Sequence, residues 1–269
     1  MERDPFDGGR DHGSDHSRDL GDEPPPLIRD APPEILVPLS ADSPVSGHVP
    51  ARESTTSVAD APEHDWDQAR DLVRPSFRPP GTHGLELESI DRATLLAHAS
   101  KSHAQPVVDS GPVGLPVVYT IPGNGFEVVV NGDHVLSWGI EPAELQDAAM
   151  RNLTTWAATA PWTEEVSGER RLISSDTGDG FDAVRILLPD VVDHLARELG
   201  AGGRVLVGIP ERHLLTAATL RPGDDEFATL FTDFIIEHSG GSDEPVDRRV
   251  FEIVDGRLVE FTGVASPAG

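Results

Sequence analysis

Asp182, Arg185 and Asp190 form the sequence's nearest approach to a catalytic grouping. Two carboxylates around a guanidinium could move a proton and hold an anionic group, the outline of a carboxylate-dependent hydrolase or transferase. The same spacing also has a structural meaning. Asp182 and Arg185 are three apart, on one face of a helix, where they can pair, and Asp182 stands where a helix over 183–199 needs its N-cap. The Asp176-Thr177-Gly178 triplet is the one aspartic proteases use to let two carboxylates share a proton. Ser174 and Ser175 precede it where an apolar strand is expected, and no second copy exists in the chain, so a Gly/Asp-rich loop accounts for it more simply. Asp176, Asp179 and Asp182 recur every third residue, but neither the ligand order of an EF-hand nor its closing bidentate Glu is present.

The histidines add little. His12 and His16 have ligand spacing only on a helix, which the surrounding Gly and Asp disfavour. His194 beside Asp193, and His213 after Arg212, come without a G-x-S-x-G elbow or an H-E-x-x-H pair. Gly200-Ala201-Gly202-Gly203 lies between a helix and a strand, the reverse of the order that cradles phosphate, and reads as a helix stop. Trp138, Trp156 and Trp162 have no basic interleaving and read as packing. No metal or cofactor site is expected.

These residues sit in a chain of 269 with 47 Asp+Glu against 21 Lys+Arg, a formal charge of −26, and no cysteine. Disulfides, a thiol nucleophile and thiolate-held metals are thereby excluded. The charge repels phosphates and anionic lipids, so no nucleic-acid or membrane partner is expected and a basic protein surface is favoured instead. The opening MERDPFDGGR lacks the basic and apolar regions of a signal peptide, and no run approaches the length of a membrane span. A cytoplasmic protein is expected. The single lysine, Lys101, among many Arg, Ala, Gly and Asp residues is read as the codon bias of a GC-rich bacterial genome.

Residues 1–85 hold 13 of the 24 prolines, with 17 acidic and 8 basic residues, and are read as a disordered acidic, Pro-rich tail. Two islands interrupt it. Ile35, Leu36, Val37 and Leu39 form a short apolar run that could dock on a partner, and 65–73 could make two helical turns capped by Asp65. Residues 86–265 are expected to form a single domain. Helices are predicted over 89–100, 142–159, 183–199 (restarting at Pro189) and 223–238. In the last, Phe227, Leu230, Phe231, Phe234 and Ile235 lie on the apolar side. Strands are predicted over 116–121, 125–130, 134–138, 204–209 and 213–219, with a pair across 249–261. Asn131-Gly132 and Asp255-Gly256 are the hairpin signals. The irregular alternation points to an α+β fold with a mixed or largely antiparallel sheet and three to four helices.

Trp138, Pro142, Leu145, Ala149, Asn152 and Leu153, then Gly180-Phe181-Asp182-Ala183-Val184-Arg185-Ile186-Leu187, then Val207-Gly208-Ile209-Pro210 form a familiar order. Over about residues 116–262 the chain resembles the YtpQ-like family of bacterial proteins, a domain of unknown function. The resemblance implies a cytoplasmic, cofactor-free α+β protein and no activity. That family often has an Asp two or three residues past the Ile-Pro corner, where this chain has Arg212 and His213, so a role for that Asp does not transfer.

The expectation is a non-enzymatic binding or regulatory protein with an acidic surface for a basic protein partner. The alternative is a hydrolase or transferase using Asp182, Arg185 and Asp190. Inward carboxylates in a pocket would favour the second.

Overall fold

Two antiparallel-dominated sheets, each with its own helices and apolar cluster, are joined by a third cluster that draws on both in the computed structural model, which describes residues 61–98, 101–123 and 126–263. Residues 1–60 of the tail expected over 1–85, with its docking run Ile35, Leu36, Val37 and Leu39, and His12 and His16, lie outside the described residues.

After a 3-10 turn at Pro62–His64 comes helix α1 (Trp66–Ala69), capped as its sequence suggests: the Asp65 carboxylate accepts the Asp67 N–H at 3.0 Å. The first sheet comprises β1 (Arg74–Phe77), β2 (Leu85–Glu86), β3 (Val107–Ser110), β4 (Pro116–Pro122) and β5 (Glu127–Val129). Its order is β1-β4-β3-β2 with β5 also on β4, and only the β2–β3 pairing is parallel. Helices α2 (Arg92–Ala97), α3 (Gly132–Trp138) and α4 (Pro142–Ala157) accompany it. Pro142 opens α4, and Leu145, Ala148, Ala149 and Leu153 are its buried stripe, the one its 3.6-residue period predicts.

The second sheet is wholly antiparallel. Its strands are β6 (Thr163–Ser167), β7 (Arg170–Ser175), β8 (Arg204–Glu211), β9 (Leu214–Leu220), β10 (Val250–Val254) and β11 (Arg257–Glu260), in the order β11-β10-β8-β9-β7-β6. Helices α5 (Pro189–Leu199) and α6 (Asp225–Gly241) pack on opposite faces, so the strands alternate between two apolar environments. Ile173, Val205, Val207, Ile209, Leu215, Ala217 and Phe251 join Leu195 and Leu199 in a core that continues to Phe77, Leu115, Val117 and Leu153 of the other half. Leu206, Ala218, Leu220 and Val250 face Ala228, Phe231 and Ile235 of α6. At Gly208 that helix comes so close that an added Cβ would lie 2.0 Å from Ile235 Cδ1.

The α+β expectation stands, with six α-helices among the described residues, three of them longer than ten residues. Several local expectations change. Residues 134–138 are helical, and Asn131-Gly132 opens α3 instead of turning a hairpin. The Asn131 side chain accepts the His134 N–H at 3.0 Å and His134 Nδ1 accepts the Asn131 N–H at 3.1 Å, a reciprocal cap, while Gly139 at φ 67° ends the helix. Start and stop signals outweigh the β-propensity of a five-residue run.

The tail boundary at 85 falls too late, because β1 pairs with β4 and Phe77 is buried in the core. Pro75 within β1 hid that strand, since proline argues against a strand interior. Strands β6 and β7 lie where the sequence predicts none, so the Asp176-Thr177-Gly178 triplet does follow a strand. The predicted 89–100 helix is confined to α2, with residues 99–100 outside the described set. The 183–199 stretch divides into a 3-10 segment, Ala183–Leu187, and α5, restarting at Pro189.

Candidate functional site

Strand β7 ends by placing Ser175 against Asp182, which precedes the 3-10 segment, and Arg185 within it. Asp182 is not a cap. Its Oδ1 accepts the Ser175 hydroxyl at 2.5 Å and its Oδ2 accepts the Thr177 hydroxyl at 2.8 Å, with no bond to a helix N–H. The reason is burial: a fully enclosed carboxylate needs donors, and two hydroxyls reach it.

Arg185 does not pair with Asp182 directly. Its Nη1 donates to the Ser175 Oγ at 2.6 Å and to the Pro161 carbonyl at 3.2 Å. Its Nη2 donates to the carbonyls of Ala157 at 3.3 Å and Ala160 at 3.2 Å. The guanidinium therefore closes the carbonyl end of α4, where unpaired C=O groups and the helix dipole favour a cation. It also lies 3.7 Å from the centroid of the Trp162 ring and 5.8 Å from that of Trp156.

The stack continues outward. Trp156 meets Phe181 edge-on at 5.9 Å and donates its indole N–H to Asp179 at 3.0 Å; Arg74 lies 4.6 Å over Phe181, and Trp162 is 5.6 Å from His194. Burial pulls the Arg185 guanidinium down to about 10, with Asp182 opposing, which leaves it charged at neutral pH.

This cluster is sealed. Ser175 and Asp182 are 0% exposed and Arg185 is 2% exposed, so no substrate atom reaches them. Asp190, the third member of the sequence-derived set, stands exposed in the first turn of α5, outside the hydrogen-bonded group. The structure thus joins Asp182 and Arg185 through Ser175 and leaves Asp190 apart. Ser175 and Thr177 are the residues that sequence reasoning missed; only the strand register of β7 could have pointed Ser175 inward. Asp176 and Asp179 are exposed while Asp182 is enclosed, and no group of three or more potential ligands gathers among the described residues. That separates the triplet of carboxylates spaced like a cation loop.

His213 belongs to an ion network at the β8–β9 turn. Its Nε2 lies 3.0 Å from Glu244, Arg212 donates to Glu244 at 2.7 Å and to Glu127 of β5 at 2.9 Å, and Arg78 reaches Glu127 at 3.4 Å. Burial pushes the Glu244 carboxyl up, but Arg212 and His213 together outweigh it and hold the group below its ordinary value. These groups neutralise one another across the two sheets.

An open concavity of about 470 Å³ lies elsewhere, between α6 and the β6–β7 hairpin. Because α6 packs chiefly on β8, it leaves the end of the sheet at β7 and β6 uncovered on that face. Leu172 forms the floor, and Phe227, Leu230, Phe231 and Phe234 form the helical wall. Leu230 is 52% and Phe234 38% exposed. Five apolar positions on one side of α6 span a wider arc than one sheet contact covers, which is the sequence signal for a second contact face. Arg170 closes one end, clamped by Asp224 at 2.7 Å and 2.9 Å. Comparison of the chain with protein-family models, curated proteins and solved structures finds no match.

Proposed function

We propose that this chain is a non-enzymatic binding or regulatory protein of the cytoplasm whose acidic surface receives a basic protein partner. The observation that supports this reading is the enclosure of Ser175, Asp182 and Arg185. Two of the three members of the grouping with the most catalytic potential in the sequence, Asp182 and Arg185, are consumed in holding β7, the 3-10 segment and the end of α4 together, and the third, Asp190, stands apart from them. Catalysis needs titratable groups that converge on a space a substrate can enter, and these converge on one another. The charge of −26 then favours encounter with a cationic protein over nucleic acid or an anionic membrane. No described helix is long and apolar enough to cross a membrane. The resemblance to the YtpQ-like family brings no activity that competes with this reading.

The test is recovery of a partner from native lysate on the full chain, followed by stopped-flow association of the purified pair across ionic strength. The association rate should fall steeply as the Debye length shrinks from about 30 Å at 0.01 M to about 3 Å at 1 M, while the dissociation rate moves less. An acidic partner, or a salt-independent association rate, would overturn it.

A further inference from the structure

We propose that the groove between α6 and the β6–β7 hairpin receives a basic amphipathic helix of a protein partner; this rests on the binding function proposed above and locates its contact. The floor and inner wall, Leu172, Phe227, Leu230, Phe231 and Phe234, are apolar. Leu230 and Phe234 stay substantially exposed, Phe234 with the His238 ring against it at 4.9 Å between centroids. Helix-in-groove recognition uses such a strip, with the ligand's i, i+3, i+4 and i+7 side chains as anchors.

The banks identify the occupant. On α6, Glu226, Asp233 and Glu237 are exposed, and helical periodicity sets them just beyond Leu230 on the side away from the sheet. On the hairpin, Glu165 is directly opposite Leu172 in the β6–β7 register, so it points to the groove side of the sheet. The cations nearby are already committed: Arg170 to Asp224 and Glu226, and Arg171 to Glu164 and Glu198. An apolar strip with Asp233, Glu237 and the Arg170-paired Glu226 along one side and Glu165 on the other complements a helix with an apolar face flanked by Lys or Arg. A second copy of this chain fits poorly, because a two-fold contact would set Glu226, Asp233 and Glu237 against their own copies.

The experiment uses the full chain and a fluorescently labelled leucine–lysine peptide with leucines at helical spacing, beside a scrambled peptide of the same composition. Anisotropy titration should show the periodic peptide binding more tightly than the scrambled one. Leu230→Ser with Phe234→Ser should weaken it by about tenfold or more. Leu96→Ser, at an equally exposed residue of α2, should leave it unchanged. Since both groove side chains are exposed, thermal melting should confirm folding. A separate triple variant, Glu226→Gln, Asp233→Asn and Glu237→Gln, should lower the association rate and flatten its salt dependence. If both peptides bind equally and the groove variants change nothing, the groove assignment falls while the acidic-surface reading stands. If neither peptide binds at low salt, both fall.

Discussion

The guanidinium of Arg185 lies 3.7 Å from the centroid of the Trp162 ring, and the carbonyl of Pro161, next to that tryptophan, accepts from the same side chain. One cation thus holds the segment that leaves α4 by its ring face and by its backbone. Planarity matters here: a guanidinium can stack and direct N–H groups outward at the same time, whereas an ammonium cannot. Arg185→Lys and Arg185→Met should each lower stability, the second by about 3–5 kcal/mol because Asp182 would lose its compensating charge in an enclosed site. Urea unfolding with an unchanged slope would measure it. A loss below about 1 kcal/mol for both would refute the clamp.

Asp182 offers a sharper discrimination. As an N-cap it would cost about 1 kcal/mol to replace by Ala, and Asn or Ser would restore it. As the acceptor for two hydroxyls its loss strands both Ser175 and Thr177, so Asp182→Ala should cost about 2 kcal/mol or more. Asp182→Ser should then fail to rescue, because its shorter side chain offers one oxygen in place of two. Equal stability of Asp182→Ser and the wild type would return the residue to its capping role.

The cap of α3 carries a pH dependence. His134 accepts the Asn131 N–H through Nδ1, which requires the neutral ring. Burial lowers its pKa from the ordinary 6.5, opposed by Glu63, reinforced by His64 and opposed again by Asp133. Between that lowered value and 6.5 the unfolded chain binds more protons than the folded one, so stability rises with pH through this interval. The contribution is complete above 6.5 and is lost as pH falls through the folded value. His134→Gln keeps a side-chain acceptor at the same helical position and should abolish this dependence while retaining α3. Nitrogen chemical shifts of His134 should show an unprotonated Nδ1 at neutral pH and a midpoint below 6.5; a midpoint above it would contradict the cap.

Gly208 and Ile235 should be coupled. A methyl at Gly208 would meet Ile235 Cδ1 at 2.0 Å and Thr216 Cγ2 at 3.2 Å, so Gly208→Ala should destabilise by about 1–3 kcal/mol through overpacking. Ile235→Val removes the colliding methyl and should recover part of that loss. A double-mutant cycle measures the recovery, and strict additivity would mean that α6 moves as a body instead.

Much of the fold was readable because local signals agreed with one another. Pro142 at the head of α4, its stripe of Leu145, Ala148, Ala149 and Leu153, and the Asp255-Gly256 turn between β10 and β11 each combine a period with a boundary. Reading failed where signals conflicted or were weak. In 131–138, β-rich residues lie between helix-capping residues, and the caps prevail. Strand β6 exposes all five of its residues, so it carries no alternation to detect.

The amino-acid order by itself determined the charge, the absence of thiol chemistry, the two-faced strands and the apolar arc of α6, since composition and periodicity are properties of the chain before it folds. Only the tertiary structure decided what Asp182 and Arg185 do. Their three-residue spacing is compatible with a pair, a cap or a catalytic dyad, and the choice depends on Ser175, brought from β7, and on carbonyls brought from the end of α4. Burial then turns a reactive-looking set inward, because enclosed charges must spend their hydrogen bonds on whatever surrounds them; of the Arg185 nitrogens only Nε is left without a partner. Likewise, five apolar residues along α6 do not reveal which of them the sheet covers. That follows from the helix sitting on β8, which buries Phe231 and Ile235 and leaves Leu230 and Phe234 open.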